Sequence, residues 1–568
     1  MKPAEALRYV ALSYMWPQGG EEDQARLQIS NLKELGVPGS MANLVLPRII
    51  SDTISLCRDL GETYLWVDRL CIIQDDAGSK HNQIRGMDKI YRSATFAIIA
   101  ALNDRDGLGL PGSYGRPRLS SALRQPYETE VEGRGIKPNG MSALVEPSLW
   151  NKRGWTFQER VLSQRRLFIT DFQVLFQCSQ GQASEELTYC PPPSKEIYHS
   201  GSPSDSEYEK EREKEEQERR LMPAFKRPSS FDREVDFSTK DATSLVDYFP
   251  WVENYSTRQL TFGSDILNAF AGVSSYLGES FGSRMIFCLP EKHLPQALMW
   301  SCLGSAKRRV EMPGIPSWSW ASSLNHADYL WINGNSHFHD DLERIASLVY
   351  FHFQDPDLGI RKLEVGERWI DYYDMTIKEF ENKEEDGIPG LTGKYIPGSR
   401  RSNITWQECP HNPWTTLAHL TLDAAACKVA ATMPGSLIFN TTVASLKIGQ
   451  HDRDRYEWNE VPEKDAGIFN RDGGLVGWIN KMSLDWIMEH AGDEQFCDFV
   501  VVSGVLLNWG KRKTMAQYMK DFDMWRLNVM LVERLQFEPY VVRRVDVGYI
   551  FAHKWKDCDA RWETVVLC

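Results

Sequence analysis

Apolar and polar positions along the first hundred residues fall into two repeating patterns. Residues 9–12 form an unbroken apolar run that ends on Ser13, Tyr14, Met15, Trp16 and Pro17, where the missing proline N–H stops strand pairing. Over 46–60, Leu46, Ile50, Ile54 and Cys57 recur at three- and four-residue spacing, which predicts an amphipathic helix with Gly61 as its C-terminal stop. Residues 64–67 form a short aromatic and β-branched run, as strands do, and it breaks on Asp68 and Arg69. The polar stretch 74–82 reads as a loop. Ile84, Met87 and Tyr91 then restore helical spacing, and 94–101, apolar except for Thr95, reads as a strand covered on both faces. This order, β-α-β-α-β, predicts a doubly wound, mostly parallel sheet. Ligands of such sheets sit beyond the carboxyl ends of the strands, where Asp68, Arg69 and Asn103 fall.

Past Asn103 the pattern loosens. The glycines of 107–112 have the wrong spacing for a phosphate-binding loop and read as a turn. Residues 150–162 carry a helical pattern, and 166–170 and 173–177 read as two strands about a turn. Residues 191–244 are rich in proline, serine and mixed charges, which predicts a solvated insertion. Packed sequence resumes at Leu245. A helix is expected over 255–276, a short helix or strand over 294–303, and a strand presenting Trp318 and Trp320 on one face. Beyond 342, short apolar runs at 363–365, 417–422, 444–446, 499–507, 527–532 and 541–551 alternate with Gly, Pro and Asn turns, with one helix near 483–490 and a surface loop over 382–405. The expected layout is an α/β domain over 1–190, the insertion, a helical region over 245–342 that completes its core, and a β-rich domain over 343–568.

Charge and cysteine content narrow the function classes. The chain has 568 residues, 42% hydrophobic and 25% charged, with a net charge of −13, an ordinary globular composition. That acidity argues against nucleic acid as the main partner, since phosphate contacts need clustered Lys and Arg. The 11 cysteines include no CxxC pair, which points to a reducing compartment. Cys57 and Cys71 fall on predicted apolar faces. The amino terminus lacks the apolar core of a signal peptide, and no run is long enough to span a membrane. The expectation is a soluble, cytoplasmic protein with no membrane span. His337 and His339 flank Phe338 in a polar stretch without an anchored third ligand, so no metal and no resident cofactor are expected.

Several side chains at strand ends and on one helix carry candidate chemistry. Asp68 either caps the loop that follows it or faces the ligand crevice. Arg69 either clamps a phosphate or pairs with Asp68 or Asp75. Ser13, Tyr14 and Trp16 follow the first strand, and their rings either pack in the core or stack on a planar ligand. Gln74 and Asn103 lie in the loops at the same sheet edge. Trp155 and Glu159 stand four apart, on one face of a helix, where a large ring would desolvate the carboxylate and raise its pKa. The alternative for Glu159 is a salt bridge to Arg153, Arg160 or Arg165.

Three blocks in order, YVALSYMWP at 9–17, LWVDRLCIIQDD at 65–76 with KIYRSATFAIIAA after it, and RGWTFQERVLSQRRLF at 153–168, resemble the heterokaryon incompatibility (HET) domain of filamentous fungi. Weaker echoes are YSTRQL at 255–260 and IPSWSWAS at 315–322. The resemblance implies an incompatibility or immune-type effector of regulated cell death. HET domains are in turn thought to be distant relatives of TIR domains, which implies a TIR-like, flavodoxin-like sheet. Some TIR domains hydrolyse NAD through a glutamate in a WCxxE-like helix, and WTFQE at 155–159 has the same spacing. By that resemblance Glu159 is the catalytic carboxylate and NAD is a substrate rather than a cofactor; Asp68, from its place at the strand end, is the second catalytic candidate. The resemblance also implies a homo-oligomer and a protein trigger. The competing expectation is a non-catalytic self-association module whose C-terminal domain senses a partner.

Overall fold

The computed structural model describes residues 7–16, 25–103, 108–113, 115–119, 144–179, 181–185, 245–302, 307–309, 312, 314–329, 345–366, 421–449, 465–480, 496–506, 525–536 and 538–568. The chain divides into two units. The first comprises residues 1–241, 258–260 and 268–273, and the second comprises 242–257, 261–267 and 274–568.

The first unit is built on a six-stranded sheet. Its strands are β1 (Val10–Ser13), β2 (Leu65–Trp66), β3 (Phe96–Ala101), β4 (Arg165–Thr170), β5 (Val174–Cys178) and β6 (Gly181–Ser184), in the order β2-β1-β3-β4-β5-β6. The first four are parallel, and β5 and β6 fold back antiparallel. After β1 the chain goes to one side for β2 and then to the other side for β3, so the sheet reverses direction at β1. Helices α1 (Leu32–Leu35) and α2 (Arg48–Asp59) connect β1 to β2; α3 (Asp68–Cys71), α4 (Ala77–Arg85) and α5 (Met87–Ser93) connect β2 to β3. Helix α6 (Trp155–Leu162) precedes β4.

Side-chain alternation sorts β1 onto two faces. Val10, Leu12 and Tyr14 pack with Ile49, Ile50 and Cys57 of the α2 region and with Ile98, Ala100 and Ile169. Ser13 points the other way, toward α5 and α6. Helices thus cover both faces, which explains why β3 is apolar throughout. Gly61 takes φ +74° just past α2, as its stop requires. Asp52 of α2 accepts the Leu110 N–H at 2.8 Å, and the predicted turn there has Gly109 at φ +84°.

Several local expectations are corrected. Residues 77–85 form α4 rather than a loop, because the Asp76 carboxylate accepts the N–H groups of Gly78 and Ser79 and caps a helix that apolar periodicity does not announce. The helical pattern from residue 150 becomes helix only at Trp155; the preceding residues are turns. Residues 255–276 are not one helix. A helix ends at Ser256, and residues 258–260 leave it to make backbone bonds with the segment before α6, Gly154 N–H to Gln259 O at 2.8 Å and Gln259 N–H to Lys152 O at 2.6 Å. Trp318 and Trp320 are both buried, but in a turn and a 3-10 helix capped by Ser319, with their N–H groups aimed at Gly435 O and Tyr248 Oη. Cys57 is buried as expected, whereas Cys71 is exposed. The insertion at 191–244, the histidines at 337 and 339, the loop at 382–405 and the helix at 483–490 lie outside the described residues.

The second unit carries helices α7 (Leu245–Ser256), α8 (Ala271–Phe281, whose first turn belongs to the first unit), α9 (Leu294–Ala297) and α10 (Ala424–Ala430). Two small antiparallel pairs, β7 (Met285–Ile286) with β8 (Leu289–Pro290) and β9 (Ser301–Cys302) with β10 (Ala327–Asp328), precede a ten-stranded sheet. That sheet comprises β11 (Ile345–Ser347), β12 (His352–Asp355), β13 (Gly359–Lys362), β14 (Leu437–Gly449), β15 (Asp465–Phe469), β16 (Leu475–Asn480), β17 (Cys497–Leu506), β18 (Trp525–Leu535), β19 (Glu538–Phe551) and β20 (Arg561–Leu567). The β-rich expectation thus holds. Four of the six predicted runs lie in β14, β17, β18 and β19, while 363–365 falls just after β13 and 421–422 are not strand.

Six of these strands close on themselves. The antiparallel pairings β14-β15, β15-β16, β16-β19, β19-β18, β18-β17 and β17-β14 form a ring, the topology of a six-stranded barrel. Closure removes the free edges that six long strands would otherwise expose. Leu446, Ile468, Phe499, Leu531, Ile550 and the fully buried Trp555 fill the core. Trp555 Nε1 donates to Thr442 Oγ1 at 2.9 Å, satisfying its polar atom. At the β16–β19 seam a Cβ on Gly477 would come within 2.0 Å of the Tyr549 carbonyl oxygen. Gly477→Ala is therefore expected to destabilise this unit by about 3 kcal/mol. Urea unfolding followed by tryptophan fluorescence checks it, and an unchanged midpoint would refute the close approach.

Candidate functional site

Ser13 is the last residue of β1, at the point where the sheet reverses. Its hydroxyl donates to the Glu159 carboxylate, joining β1 to α6 across 146 positions of sequence. The same oxygen accepts the Trp150 indole N–H at 2.8 Å. Tyr91, from α5, puts its hydroxyl 3.2 Å from the Leu12 carbonyl oxygen and also in hydrogen-bonding contact with the Glu159 carboxyl. Glu159 is only 9% exposed. The parallel pairing of β1 with β3, the apolar body of α6 and these hydroxyls leave the carboxyl little water.

Asp68 opens α3 immediately after β2. One carboxylate oxygen accepts the Trp16 indole N–H and the other accepts the Arg69 backbone N–H, both at 2.7 Å. The capping expectation for Asp68 is thus met by Arg69, while Trp16 ties it to the segment after β1. The Arg69 side chain is fully buried and stacks on Trp16, its guanidinium carbon 4.4 Å from the ring centroid. Gln74 Nε2 donates to the carbonyls of Asp68 and Ile72, both at 3.0 Å, and so holds the one-turn helix that carries Asp68.

Electrostatics follow from this burial. Desolvation pushes the Glu159 carboxyl up to about 8; the Ser13 bond opposes the rise, the negative Asp68 adds to it, and Arg153 and Tyr91 oppose it. Asp68 is also raised, first by desolvation, against its bonds to Trp16 and Arg69 N–H and the charges of Arg69 and Arg153. The Tyr91 phenol is held well above its ordinary value by burial and by the two carboxylates. Tyr14 shifts the same way, through burial and the charges of Asp68 and Glu159, with Arg69 opposing the rise.

Seven of the nine residues singled out from sequence thus form one connected group: Ser13, Tyr14, Trp16, Asp68, Arg69, Gln74 and Glu159. Asn103 belongs elsewhere. Its backbone and side-chain N–H groups both donate to Asp171 at 3.1 Å, and Arg116 pairs with the same carboxylate. Trp155 is half-buried in the first turn of α6, one turn before Glu159. The salt bridges weighed for Glu159 do not form. Arg160 pairs with Glu146 and Asn151, Arg165 donates to the Thr95 carbonyl, and Arg153 acts on Glu159 only through its charge. Trp150 and Tyr91 were not singled out, and Arg153 was weighed only as a salt-bridge partner of Glu159. Tyr91 reads in sequence as one apolar position of a helical stripe, and Trp150 as the start of a helix.

The arrangement brings two coupled carboxyls, a guanidinium and two hydroxyls to the end of a strand. Such a set can order ligand hydroxyls, stabilise a developing positive charge and accept a proton. Among the described residues no group of three or more His, Cys, Asp or Glu is placed to hold a metal ion, and no helix is long and apolar enough to cross a membrane.

Because the Glu159 carboxyl is raised, the folded chain keeps a proton there that the unfolded chain has lost between about pH 4.5 and pH 8. Stability contributed by this group is therefore present at low pH and is lost as pH rises through that window. Glu159→Gln, neutral at every pH, should gain on the wild type as pH rises from 5 to 8, by on the order of 5 °C in melting temperature. Thermal melts of both proteins across that range check it; a gap independent of pH would contradict the burial of an ionisable carboxyl.

The heterokaryon incompatibility protein (HET) family matches residues 9–159, which span β1 to the Glu159 carboxyl. Heterokaryon incompatibility protein 6, OR allele, of Neurospora crassa is similar to this chain, 25% identical over 209 residues, covering 30% of this chain and 29% of that protein. The chain thus spans about three tenths of the length of the curated relative it matches. No solved structure matches. The sequence blocks, the family match over the same residues and the relative agree that residues 9–159 form a HET domain.

Proposed function

We propose that this chain acts in heterokaryon incompatibility as an effector of regulated cell death, and that its HET domain does so by hydrolysing NAD at the nicotinamide–ribose bond. The relative's name supports the first part. The observation that carries the second is the buried Glu159 carboxyl, held by Ser13 at the end of β1, where the sheet reverses and Asp68 lies close enough to act on it. Doubly wound sheets bind ligands at that kind of reversal, and the TIR-like spacing of Trp155 and Glu159 agrees with it.

Breaking the C–N bond sends its electron pair to nicotinamide and leaves an oxocarbenium-like ribose. Ionised Glu159 against the ribose stabilises that positive charge, as carboxylates do in glycoside cleavage. Water adds at the anomeric carbon and gives its proton to Glu159, which releases it to solvent. The products are nicotinamide, ADP-ribose and a proton. Ser13 and Tyr91 orient the carboxyl, and Asp68 orders the ribose hydroxyls. Oligomerisation and a protein trigger belong to the same proposal, because neighbouring protomers would complete the site.

The second reading is a non-catalytic signalling module that self-associates, with the C-terminal barrel as the partner sensor. The near-complete burial of Glu159 favours it, since a carboxyl bonded to a core serine serves structure equally well.

Nicotinamide release from NAD by the purified chain at high protein concentration separates the two. Glu159→Gln is expected to lower release by about a thousandfold or more while keeping a wild-type melting temperature at pH 5. Because the ionised form is required and the carboxyl sits near 8, kcat/KM should climb from pH 6 and level off above pH 8. Absence of release from wild type and variant alike would leave the module reading standing.

A further inference from the structure

We propose that Trp150 is a positioning residue of the Glu159 carboxyl: its indole N–H fixes the Ser13 hydroxyl as a donor to Oε2, so that Glu159 takes up and releases its proton at Oε1. The hydrogens can be counted. An indole nitrogen only donates, whereas a serine hydroxyl has one proton to give and two lone pairs to receive with. Trp150 Nε1 donates to Ser13 Oγ at 2.8 Å. Ser13 is 1% exposed, so bulk water cannot stand in for a missing partner. Among the described residues its hydroxyl bonds only to Trp150 and Glu159. With the indole on one lone pair, the Ser13 proton has one acceptor, Glu159 Oε2. The carbonyl oxygen of a neutral carboxyl accepts hydrogen bonds far better than its hydroxyl oxygen does. Oε2 therefore stays the acceptor in both charge states, and the acid proton belongs to Oε1.

Packing holds Trp150 in this position. It is fully buried, and its ring meets Phe168 edge-on with centroids 6.2 Å apart. Its carbonyl accepts Thr156 Oγ1 at 2.7 Å and the Arg153 N–H at 3.3 Å. Thr156 lies in the first turn of α6, so the residue that aims Ser13 is also tied to the helix that carries Glu159. Ser13 is fixed in turn by its pairing with Ile99 in the β1–β3 ladder. Other groups act on Glu159 from the elements around it: Tyr91 on α5 by contact, Asp68 on α3 and Arg153 before α6 by charge. Tyr14 packs on the opposite sheet face with Ile49 and Ile50, Arg160 is turned to Glu146, and Asp88 of α5 lies with Gln158 beside Gly272. None of these bonds to Ser13 Oγ, so Trp150 sets the sense of that bond. A hydroxyl that already accepts a hydrogen bond is polarised into a stronger donor. A donor to the carboxylate favours its ionised form, and the Ser13 bond does work against the burial of Glu159. Trp150 thus acts on the charge of Glu159 through Ser13.

Infrared titration of the full chain, with no nucleotide present, tests this by following the protonated-carboxyl band that Glu159→Gln removes. Ser13→Ala should raise the midpoint of that band by about 1 pH unit, and Trp150→Phe by about 0.5. On the Ser13→Ala background Trp150→Phe should raise it no further, because the route through Ser13 is already gone. Loss of packing alone would lower the melting temperature of Trp150→Phe and leave the midpoint in place. An unmoved midpoint in Trp150→Phe, or an equal rise on both backgrounds, overturns the proposal. The wild type supplies the same test should Trp150→Phe fail to fold. The indole N–H resonance that Ser13→Ala displaces should shift with pH at the Glu159 midpoint and stay constant in Glu159→Gln. A resonance that ignores pH in the wild type overturns the proposal equally. Because no reading uses NAD, the outcome is separate from that of nicotinamide release.

Discussion

The bond from the Ser13 hydroxyl to the Glu159 carboxyl organises the first unit. It joins the last residue of β1 to the middle of α6, and it draws in Trp150 and Tyr91 through the same few atoms. Its physical consequence is a carboxyl taken out of water but not neutralised by a salt bridge. The Ser13 and Tyr91 hydroxyls offset part of the desolvation and leave the group poised near 8 rather than locked as a carboxylate. An arginine in ion-pair contact would have produced a stable, inert pair instead.

Around that bond the chain spends glycine and arginine on backbone control. Segment 258–260 leaves its helix to bracket residues 152–154, and the Leu260 side chain packs over Gly154. Arg160 and Arg258 both donate to Asn151 and so fix the entry to α6. Orientation of Glu159 thus depends on residues about a hundred positions away in sequence. The same device recurs in the second unit, where Gly477 and Gly548 let β16 and β19 come close enough to complete the barrel ring.

Sequence pattern was most informative where one periodicity ran uninterrupted. The apolar run of β3, the stripe of α2 and the long strands β17 to β19 declare themselves because each buries a face that must be apolar. It was least informative where polar side chains make the structure. Helix α4 exists because Asp76 caps it, and the supposed helix over 255–276 breaks because backbone bonding to 152–154 competes with helix continuation. For Trp318 and Trp320, two-residue spacing was satisfied by a turn as well as by a strand.

For the site, residue types and strand ends alone pointed to Ser13, Tyr14, Trp16, Asp68 and Glu159, because ends of parallel strands and a carboxylate near a ring are local features. Parallel order, the apolar run of β1 and the net charge of −13 were likewise legible in the sequence. Only the tertiary structure decided that Asn103 turns to Asp171 and that Arg69 is buried under Trp16. Those outcomes depend on which of several competing partners lies within hydrogen-bonding reach, a distance that periodicity along the chain does not encode.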